Sequence, residues 1–289
     1  MKLASHSKVL ITGLDGFTGQ HLSNHLIETG FSVIGLSSDL TNRDAVLAEV
    51  VACAPDYVVH LAAISFAAET NADLIYRVNV QGTLNLLDAL CALNETPKKV
   101  ILASSATVYG NLPDFVLSES LCPKPVNHYG CSKLAMELMA QNYATKLPIL
   151  ITRPFNYTGI GHADHFLIPK IVKAYREGKT SLELGNLAVS REFNDVRDVC
   201  EIYHDLLVSD SSDGVVNLCS GKTISLMQLI EYMSDIAGYE MNVTVNPAFV
   251  RENEIKDLSG DTARLCQMTK ADFKFTIQDT LRWMYGAAL

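Results

Sequence analysis

The chain has 289 residues, a net charge of −9 and 48% hydrophobic residues, which fits one large globular domain or two unequal ones. The acidic balance argues against a nucleic-acid partner, because no basic stretch compensates for it. The apolar runs are too short for a membrane span, and the first strand pattern begins near Lys8, which leaves no room for a signal peptide. We therefore expect a cytoplasmic protein without a membrane partner.

A glycine-rich turn follows the first predicted strand. The apolar run 9–11 leads into Gly13, Gly16 and Gly19, spaced one residue wider than the usual dinucleotide fingerprint. The first glycine allows a tight turn, the second lets a pyrophosphate approach the backbone, and the third lets the next helix pack closely on the sheet. A helix predicted over 17–29 then points its N-terminus at the phosphates.

Strand and helix patterns alternate over the first half of the chain. The predicted strands are 9–12, 32–36, 57–60, 100–103 and 149–152, and the predicted helices are 17–29, 42–53, 72–94 and 129–146. This alternation predicts an α/β fold with a doubly wound parallel sheet. In such sheets ligands bind beyond the carboxyl ends of the strands.

The pattern changes after Pro154. A loop over 156–165 precedes further predicted elements, namely helices over 166–178, 195–209 and 226–237 and strands over 182–184 and 215–218. We expect residues 1–155, joined by about 195–219, to form a nucleotide-binding domain. Residues 156–289 would mainly form a smaller C-terminal α/β lobe, with the substrate in the cleft between them.

Three residues form the main catalytic candidate. Tyr129 and Lys133 stand four residues apart, so on a helix they share one face. An ammonium beside a phenol lowers the pKa of that phenol, and a nearby hydroxyl can hold a substrate oxygen against it. Ser105, or its neighbour Ser104, supplies that hydroxyl after a predicted strand. The set suits proton transfer at a sugar oxygen while a nicotinamide exchanges a hydride.

These motifs together resemble the extended short-chain dehydrogenases/reductases, the NAD-dependent epimerase/dehydratase family, with their Rossmann-type domain. The resemblance extends over nearly the whole chain. It rests on the turn 12–19, Asp39-Leu40, His60 to Ala63, Asn79, Ser104 to Ala106, Tyr129 with Lys133, and Arg153 to Asn156. Asn79 resembles the family asparagine that orders the active-site helix, and a helix cap is the alternative reading.

The resemblance also implies the cofactor contacts and the catalytic roles. Tyr129 would be the general acid, Ser105 would hydrogen-bond the reacting oxygen, and Lys133 would contact the nicotinamide ribose. The remaining residues implied to contact the cofactor are Gly13, Gly16, Phe17, Thr18, Gly19, Ser37, Ser38, Asp39, Leu40, Leu61, Ala62 and Ala63.

Within the family the chain is most similar to GDP-6-deoxy-4-keto-hexose reductases, on the segments 185–187, 191–198, 217–221 and 251–254. The resemblance implies a nucleotide-sugar substrate, with a GDP-sugar favoured. The substrate-side residues would be Ser105, Asn156, Asn186, Arg191 and Arg251, since arginine forks suit diphosphate oxygens. Glu252 stands where the family pattern has proline, which weakens the assignment of Arg251.

The choice of nicotinamide depends on the end of the second strand. Ser37 and Ser38 stand there without a carboxylate, which tolerates a 2′-phosphate, and Arg43 lies within sequence reach. Asp39 has the spacing of a ribose-binding acid, but we match Asp39-Leu40 to a later family pair that contacts adenine. The sequence therefore favours NADP(H) over NAD(H).

The sequence leaves several functions open. Ala106 and Thr107 stand where 4,6-dehydratases carry an acidic pair, so dehydration is disfavoured. The leading hypothesis is NAD(P)H-dependent reduction of a nucleotide-linked 4-keto-6-deoxy-hexose, most simply GDP-4-keto-6-deoxy-D-mannose to GDP-D-rhamnose or its C4 epimer. A nucleotide-sugar 4-epimerase is the alternative, and a non-catalytic NADP sensor is a third reading, disfavoured by the intact Ser-Tyr-Lys set.

Two further expectations concern assembly and metals. The segments 82–93 and 134–144 carry more apolar side chains than one buried face needs, which favours a homodimer through these helices. The seven cysteines lack a C-x-x-C pair and the eight histidines are scattered, so we expect no metal site and no disulfide framework.

Overall fold

The computed structural model describes residues 7–65, 71–113, 116–211, 214–250, 257–270 and 272–287. The strands are β1 Lys8–Thr12, β2 Ser32–Gly35, β3 Tyr57–His60, β4 Lys99–Ala103, β5 Val116–Leu117, β6 Ile149–Pro154, β7 Tyr157–Thr158, β8 Ser181–Leu184, β9 Ser190–Arg191, β10 Asn194–Asp195, β11 Gly214–Leu218, β12 Ile224–Ser225, β13 Asn242–Val245 and β14 Asp257–Gly260.

The helices connect and cover these strands. They are α1 Phe17–Glu28, α2 Arg43–Cys53, α3 Ala72–Tyr76, α4 Thr83–Cys91, α5 His128–Ala140, α6 Leu167–Arg176, α7 Val196–Val208, α8 Leu226–Ala237, α9 Ala263–Met268 and α10 Ile277–Gly286. A π-helical segment, Arg77–Gly82, joins α3 to α4, and a 3₁₀ turn, Ala106–Tyr109, follows β4.

The central sheet has six strands in the order β11-β6-β4-β3-β1-β2. Every neighbouring pair is parallel, from Ile11 beside Gly35 at one edge to Leu218 beside Pro154 at the other. The predicted doubly wound parallel sheet is therefore confirmed. Its strands β1, β3 and β4 end at Thr12, His60 and Ala103, so the loops that follow them meet at one edge.

The two faces of this sheet bury alternate side chains of the same strand. In β1, Val9 and Ile11 belong to an apolar cluster with α1 and α7, whereas Leu10 belongs to a second cluster with α2, α4 and α5. All three side chains have 0% relative exposure. This two-residue repeat follows from the pleat of a strand, and it makes β1 a rigid support for the turn after Thr12.

The later part of the chain has its own apolar cluster. It joins α6, α8 and α10 with residues of β8, and β8 pairs in parallel with β13. A second sheet has four short strands in the order β12-β9-β14-β5. Gly260 of β14 packs against Cys219, which follows β11, so this sheet lies near the end of β11. The short strands and the six-residue α9 are too short to give a periodic signal in the sequence, whereas the ten-residue α10 was missed despite its capping box at Thr276.

Two predicted helices are wrong in detail. The helix expected over 129–146 ends at Ala140, where a 3₁₀ turn, Gln141–Tyr143, follows. The single helix expected over 72–94 is instead α3, the π-helical segment and α4, which ends at Cys91. The buried Asn79 lies within the π-helical segment, where its amide bonds backbone groups outside the helix. Within the described ranges, none of the helices combines the length and apolar character that crossing a bilayer requires.

Candidate active site

Packing requires two of the three glycines in the first turn. Gly13 has φ +73, and a Cβ there would lie 2.9 Å from the backbone of Ala62. A Cβ on Gly19 would overlap the carbonyl oxygens of Gly13 and Leu14, so glycine lets α1 pack against the turn. Gly16 is exposed, and a Cβ there would meet only the Gly13 carbonyl oxygen at 3.2 Å. The protein's own packing therefore constrains Gly16 least, and Gly16 is the glycine expected to approach a phosphate.

The N-terminus of α1 is open for an anion. No side-chain hydrogen bond from the described residues caps it at Gly16, and the first intrahelical bond is donated by Gln20 N to the Gly16 carbonyl. Phe17 and Thr18 lie in this first turn, and Thr18 Oγ1 lies 2.7 Å from the Tyr157 hydroxyl. Free N–H groups and the helix dipole suit a pyrophosphate here, so the turn fits a dinucleotide.

The end of β3 is tied to the glycine turn. His60 Nδ1 lies 2.6 Å from Thr12 Oγ1, and its Nε2 lies 2.8 Å from Thr83 Oγ1. Burial lowers the pKa of His60 to about 3, with a smaller contribution from the Lys133 ammonium, so the ring stays neutral. The predicted cofactor residues Leu61, Ala62 and Ala63 follow directly, and Leu61 N and Ala62 N both donate to Thr12.

The end of β2 differs from its sequence-based interpretation. Ser37 donates to Glu49 Oε1 through its N–H and its hydroxyl, both at 2.8 Å, and Ser38 N donates to Glu49 Oε2 at 2.8 Å. We call Ser37, Ser38 and the Glu49 carboxylate between them the serine cradle. The expectation that this position lacks a carboxylate is therefore wrong, because α2 supplies one twelve residues after Ser37.

The other residues of that loop are engaged locally. Asp39 Oδ1 accepts from the N–H and the hydroxyl of Thr41, which hold the pKa of Asp39 below its usual value. Leu40 is buried, and its carbonyl accepts from the Asn85 amide at 2.8 Å. Arg43, which the sequence placed within reach of a 2′-phosphate, lies 3.6 Å from Asp88 in an exposed ion pair.

The predicted catalytic residues converge between β4 and α5. Tyr129 and Lys133 lie in the first turns of α5, whose N-terminus is capped by the Asn127 side chain on Gly130 N. Lys133 is 2% exposed, and its ammonium donates to the Ala103 carbonyl at 2.6 Å and lies 6.0 Å from the centre of the Tyr129 ring. Ser105 begins the 3₁₀ turn after β4. We call Ser105, Tyr129 and Lys133 the triad.

The protonation of the triad differs from the sequence-based expectation. Burial raises the pKa of Tyr129, and a hydrogen bond with the Ser105 side chain offsets this only in part. The expected lowering by Lys133 is therefore wrong here. Burial also lowers the pKa of Lys133 to about 8, with Glu137 acting in the opposite direction. A phenol that keeps its proton at neutral pH suits a general acid.

Ser105 rather than Ser104 has a hydroxyl available to a ligand. Ser105 Oγ accepts from the N–H and the hydroxyl of Thr107, so its own proton can be donated, to Tyr129 in this structure or to a ligand oxygen in its place. Ser104 is buried and donates to Glu137 Oε1 at 2.5 Å. Glu137 in turn forms a buried ion pair with Arg153, at 2.6 Å between Oε2 and Nη2.

Sequence reasoning missed this ion pair, although a signal was present. Glu137 follows Lys133 by four residues, so both must lie on the buried face of α5. Arg153 also stacks on the Tyr109 ring at 4.8 Å, and the Tyr109 hydroxyl donates to Asn217 at 2.7 Å. Tyr109 has 0% exposure, so it belongs to the core.

Asn79 connects the loop after β3 to the catalytic helix. Its Oδ1 accepts from Ile64 N at 2.8 Å, and its Nδ2 donates to Ser132 Oγ at 3.0 Å. Ser132 Oγ donates to the Tyr129 carbonyl at 2.8 Å. This chain of bonds fixes the first turn of α5 relative to β3, which is the ordering role that the family resemblance implied.

Apart from Ser105, the predicted substrate residues that the structure describes lie in the part of the chain after β6. Asn156 is exposed just after β6, and its carbonyl accepts from Asn194 N. Asn186 accepts from Ala188 N at 3.0 Å, in a local turn. Arg191 lies on β9, half-buried, with Nη1 bonded to the Ser190 carbonyl at 2.8 Å. Arg251 lies outside the described residues.

A buried glutamate organises the strands around Arg191 and was not predicted. Glu192 has 0% exposure, and its carboxylate accepts from Gly260 N and Ser220 N, both at 2.7 Å. These bonds join β9, β14 and the loop after β11. Burial raises the pKa of Glu192 despite these bonds. No sequence spacing connects the three segments, so only the fold reveals this arrangement.

The glycine turn and the triad lie at the same edge of the central sheet. The Tyr157 hydroxyl bonds Thr18 in the first turn of α1, and Tyr157 is close enough to Tyr129 for Tyr129 to raise the pKa of Tyr157. Burial, with that smaller effect, raises the pKa of Tyr157 to about 12. A dinucleotide on the glycine turn would therefore extend toward the triad.

Comparison with known proteins agrees with this geometry. Residues 9–219 match the NAD dependent epimerase/dehydratase family. The chain belongs to this family. It is 37% identical over 284 residues to the GDP-6-deoxy-D-talose 4-dehydrogenase of Aggregatibacter actinomycetemcomitans, across 96% of this chain and 97% of that one. It is 34% identical over 290 residues to the GDP-6-deoxy-D-mannose reductase of Pseudomonas aeruginosa, across 95% of each.

A solved relative has the same fold. The structure of RMD from Pseudomonas aeruginosa complexed with NADPH superposes with a TM-score of 0.89, at 32% identity, over 97% of this chain and 96% of that one. The predicted family and its Rossmann-type fold are thereby confirmed. The chain is therefore an enzyme of the NAD dependent epimerase/dehydratase family.

Proposed function

We propose that the protein reduces the 4-keto group of a GDP-linked 4-keto-6-deoxy-hexose, such as GDP-4-keto-6-deoxy-D-mannose, with a nicotinamide cofactor. The observation that carries the proposal is the convergence of Ser105, Tyr129 and Lys133 at the sheet edge that also holds the glycine turn. The relatives named for GDP-6-deoxy-sugars support the substrate class. Either C4 stereoisomer is a product of this chemistry.

Each triad residue has a distinct task. A bound nicotinamide supplies the hydride that reduces the keto carbon. Tyr129 donates its proton to the oxygen of that keto group, and its raised pKa keeps the proton available until the negative charge develops. Ser105 donates to the same oxygen, because its lone pairs are already occupied by Thr107.

Lys133 acts beside the phenol. Its ammonium already holds the Ala103 carbonyl at the end of β4, and its remaining N–H groups would contact the nicotinamide ribose. Gly16, Phe17 and Thr18 would hold the pyrophosphate at the start of α1. Asn156, Asn186, Arg191 and Arg251 would contact the sugar and its diphosphate, an assignment that rests on the family resemblance.

Three finer predictions belong to this proposal. NADP(H) is the cofactor that the sequence favours, and the NADPH bound to the related RMD supports it, whereas the Glu49 carboxylate on Ser37 and Ser38 opposes it. A homodimer through α4 and α5 and a cytoplasmic location are also expectations of the sequence. On α5, Leu138 is 56% exposed, which leaves an apolar side chain for such a contact.

The test is a cofactor balance. The purified protein is mixed with GDP-4-keto-6-deoxy-mannose and reduced cofactor, and nicotinamide absorbance and sugar products are followed together. Loss of one reduced cofactor per sugar reduced supports the proposal. Interconversion of a nucleotide hexose without net cofactor loss supports the 4-epimerase instead, and cofactor binding without turnover of any sugar supports the sensor.

A further inference from the structure

The serine cradle is a preformed anion site that the protein itself fills. Two consecutive backbone N–H groups and the Ser37 hydroxyl all point at the Glu49 carboxylate, at 2.8 Å each. Successive N–H groups of this kind form an anion-binding nest. Glu49 lies on α2 and is half-buried.

The cradle lies where the adenosine ribose is bound in a Rossmann-type domain. β2 pairs with β1, with Gly35 beside Ile11, and Ser37 follows two residues later. The Leu14 side chain, from the glycine turn, lies within 3.2 Å of the Cβ position of Gly35. The ribose 2′-position of a dinucleotide on this turn faces the end of the second strand. The serine cradle is therefore the surface that the ribose 2′-position would contact.

The carboxylate in the cradle is ionised throughout the neutral range. Burial raises the pKa of Glu49, but the hydrogen bonds from Ser37 and Ser38 outweigh burial and bring it to about 2. A ribose 2′-hydroxyl can donate to such a carboxylate. A 2′-phosphate needs the same donors that Glu49 occupies, and it carries charge of the same sign.

We propose that Glu49 sets the discrimination between NAD(H) and NADP(H), by holding the Ser37 and Ser38 donors against a 2′-phosphate. The inference rests on the proposed cofactor site and assigns the acidic ribose determinant to α2 rather than to the end of β2. An NADP(H) molecule binds only when Glu49 leaves the cradle, whereas NAD(H) binds with Glu49 in place.

The experiment measures dissociation constants of NAD⁺ and NADP⁺ by calorimetry, for the natural protein and for Glu49→Gln and Glu49→Ala. Removing the charge should strengthen NADP⁺ binding about tenfold, the worth of one hydrogen bond to a charged group. NAD⁺ binding should weaken or stay within about threefold, because it loses at most one hydroxyl contact. Asp44→Asn, an exposed carboxylate on the same helix, is the charge-matched control and should leave both constants unchanged.

The outcomes separate this inference from the proposed function. If both dinucleotides shift by the same factor in the Glu49 variants, Glu49 only braces the loop and the inference is wrong. The Gln variant keeps the size of the side chain, and its melting curve shows whether it is folded. Cofactor binding without sugar turnover overturns the reductase alone, and absence of any dinucleotide binding by the natural protein overturns both.

Discussion

The triad and the serine cradle are both held by hydrogen bonds, but their surroundings differ. The triad is braced by buried partners, with Lys133 on the Ala103 carbonyl and Tyr129 connected through Ser132 to Asn79. The cradle is half-exposed and closed by one carboxylate from α2. The first arrangement fixes a reacting geometry, whereas the second can open, since only one side chain must move. The triad, which would carry out the chemistry, is thus held more rigidly than the serine cradle, which would select the cofactor.

The largest effect is expected at the phenol. Tyr129→Phe removes the proton donor and should lower kcat by about 10²–10⁴, while cofactor affinity stays within about twofold. Steady-state kinetics and a cofactor titration measure the two quantities. Tyr143→Phe is a matched control, because that hydroxyl bonds Asp88 at 2.6 Å on the neighbouring helix. Undiminished turnover in Tyr129→Phe would remove the general acid from the proposal.

The next effect concerns the buried ion pair beneath the triad. Glu137 and Arg153 are 3% and 4% exposed, so Glu137→Gln leaves a buried guanidinium without its counter-charge. We expect the free energy of unfolding to fall by about 3–5 kcal/mol, measured by denaturant titration. Asp164→Asn breaks an exposed pair with Lys173 and should cost less than about 1 kcal/mol. Equal costs would show that burial of the pair is unimportant.

The adjacent serines should separate catalysis from stability. Ser105→Ala removes a donor to the reacting oxygen and should lower kcat by about 10², the scale of an oxyanion-hole donor. Ser104→Ala removes the bond to Glu137 and should lower the free energy of unfolding by about 1–3 kcal/mol with little change in kcat. Reversed effects in the two variants would assign the catalytic hydroxyl to Ser104.

The smallest effect is a pH dependence at the cradle. The pKa of Glu49 falls from 4.5 to about 2 on folding, so its contribution to stability is complete above about pH 4.5. That contribution is lost as the pH falls through about 2, where the folded carboxyl is protonated. The melting temperature of the natural protein should therefore exceed that of Glu49→Gln at pH 6, and the difference should shrink toward pH 2. A difference that does not vary with pH would show that the ionised carboxylate contributes no stability.

Local spacing made much of the site predictable. The four-residue step from Tyr129 to Lys133 and the three-residue steps from Gly13 to Gly19 survive any tertiary arrangement, because each motif lies within one turn or helix. The parallel sheet was predictable for a different reason, because alternating strand and helix patterns leave few topologies other than right-handed parallel crossovers. The pKa direction of Tyr129 was wrong, because desolvation depends on what surrounds the phenol and not on its sequence neighbours.

The sequence by itself determined the alternation of the main strands and helices over the first half of the chain, the glycine turn and the one-turn pairing of phenol and ammonium, since these depend on patterns within a few residues. Only the tertiary structure decided that Glu49 faces Ser37 and Ser38, that Glu137 receives Arg153, and that Glu192 joins β9 to β14. Such contacts join distant segments, and no periodic pattern in the sequence links one segment to the other. A carboxylate finds its donors there because an unpaired charge is costly in a folded interior, and the fold alone determines which donors lie within reach.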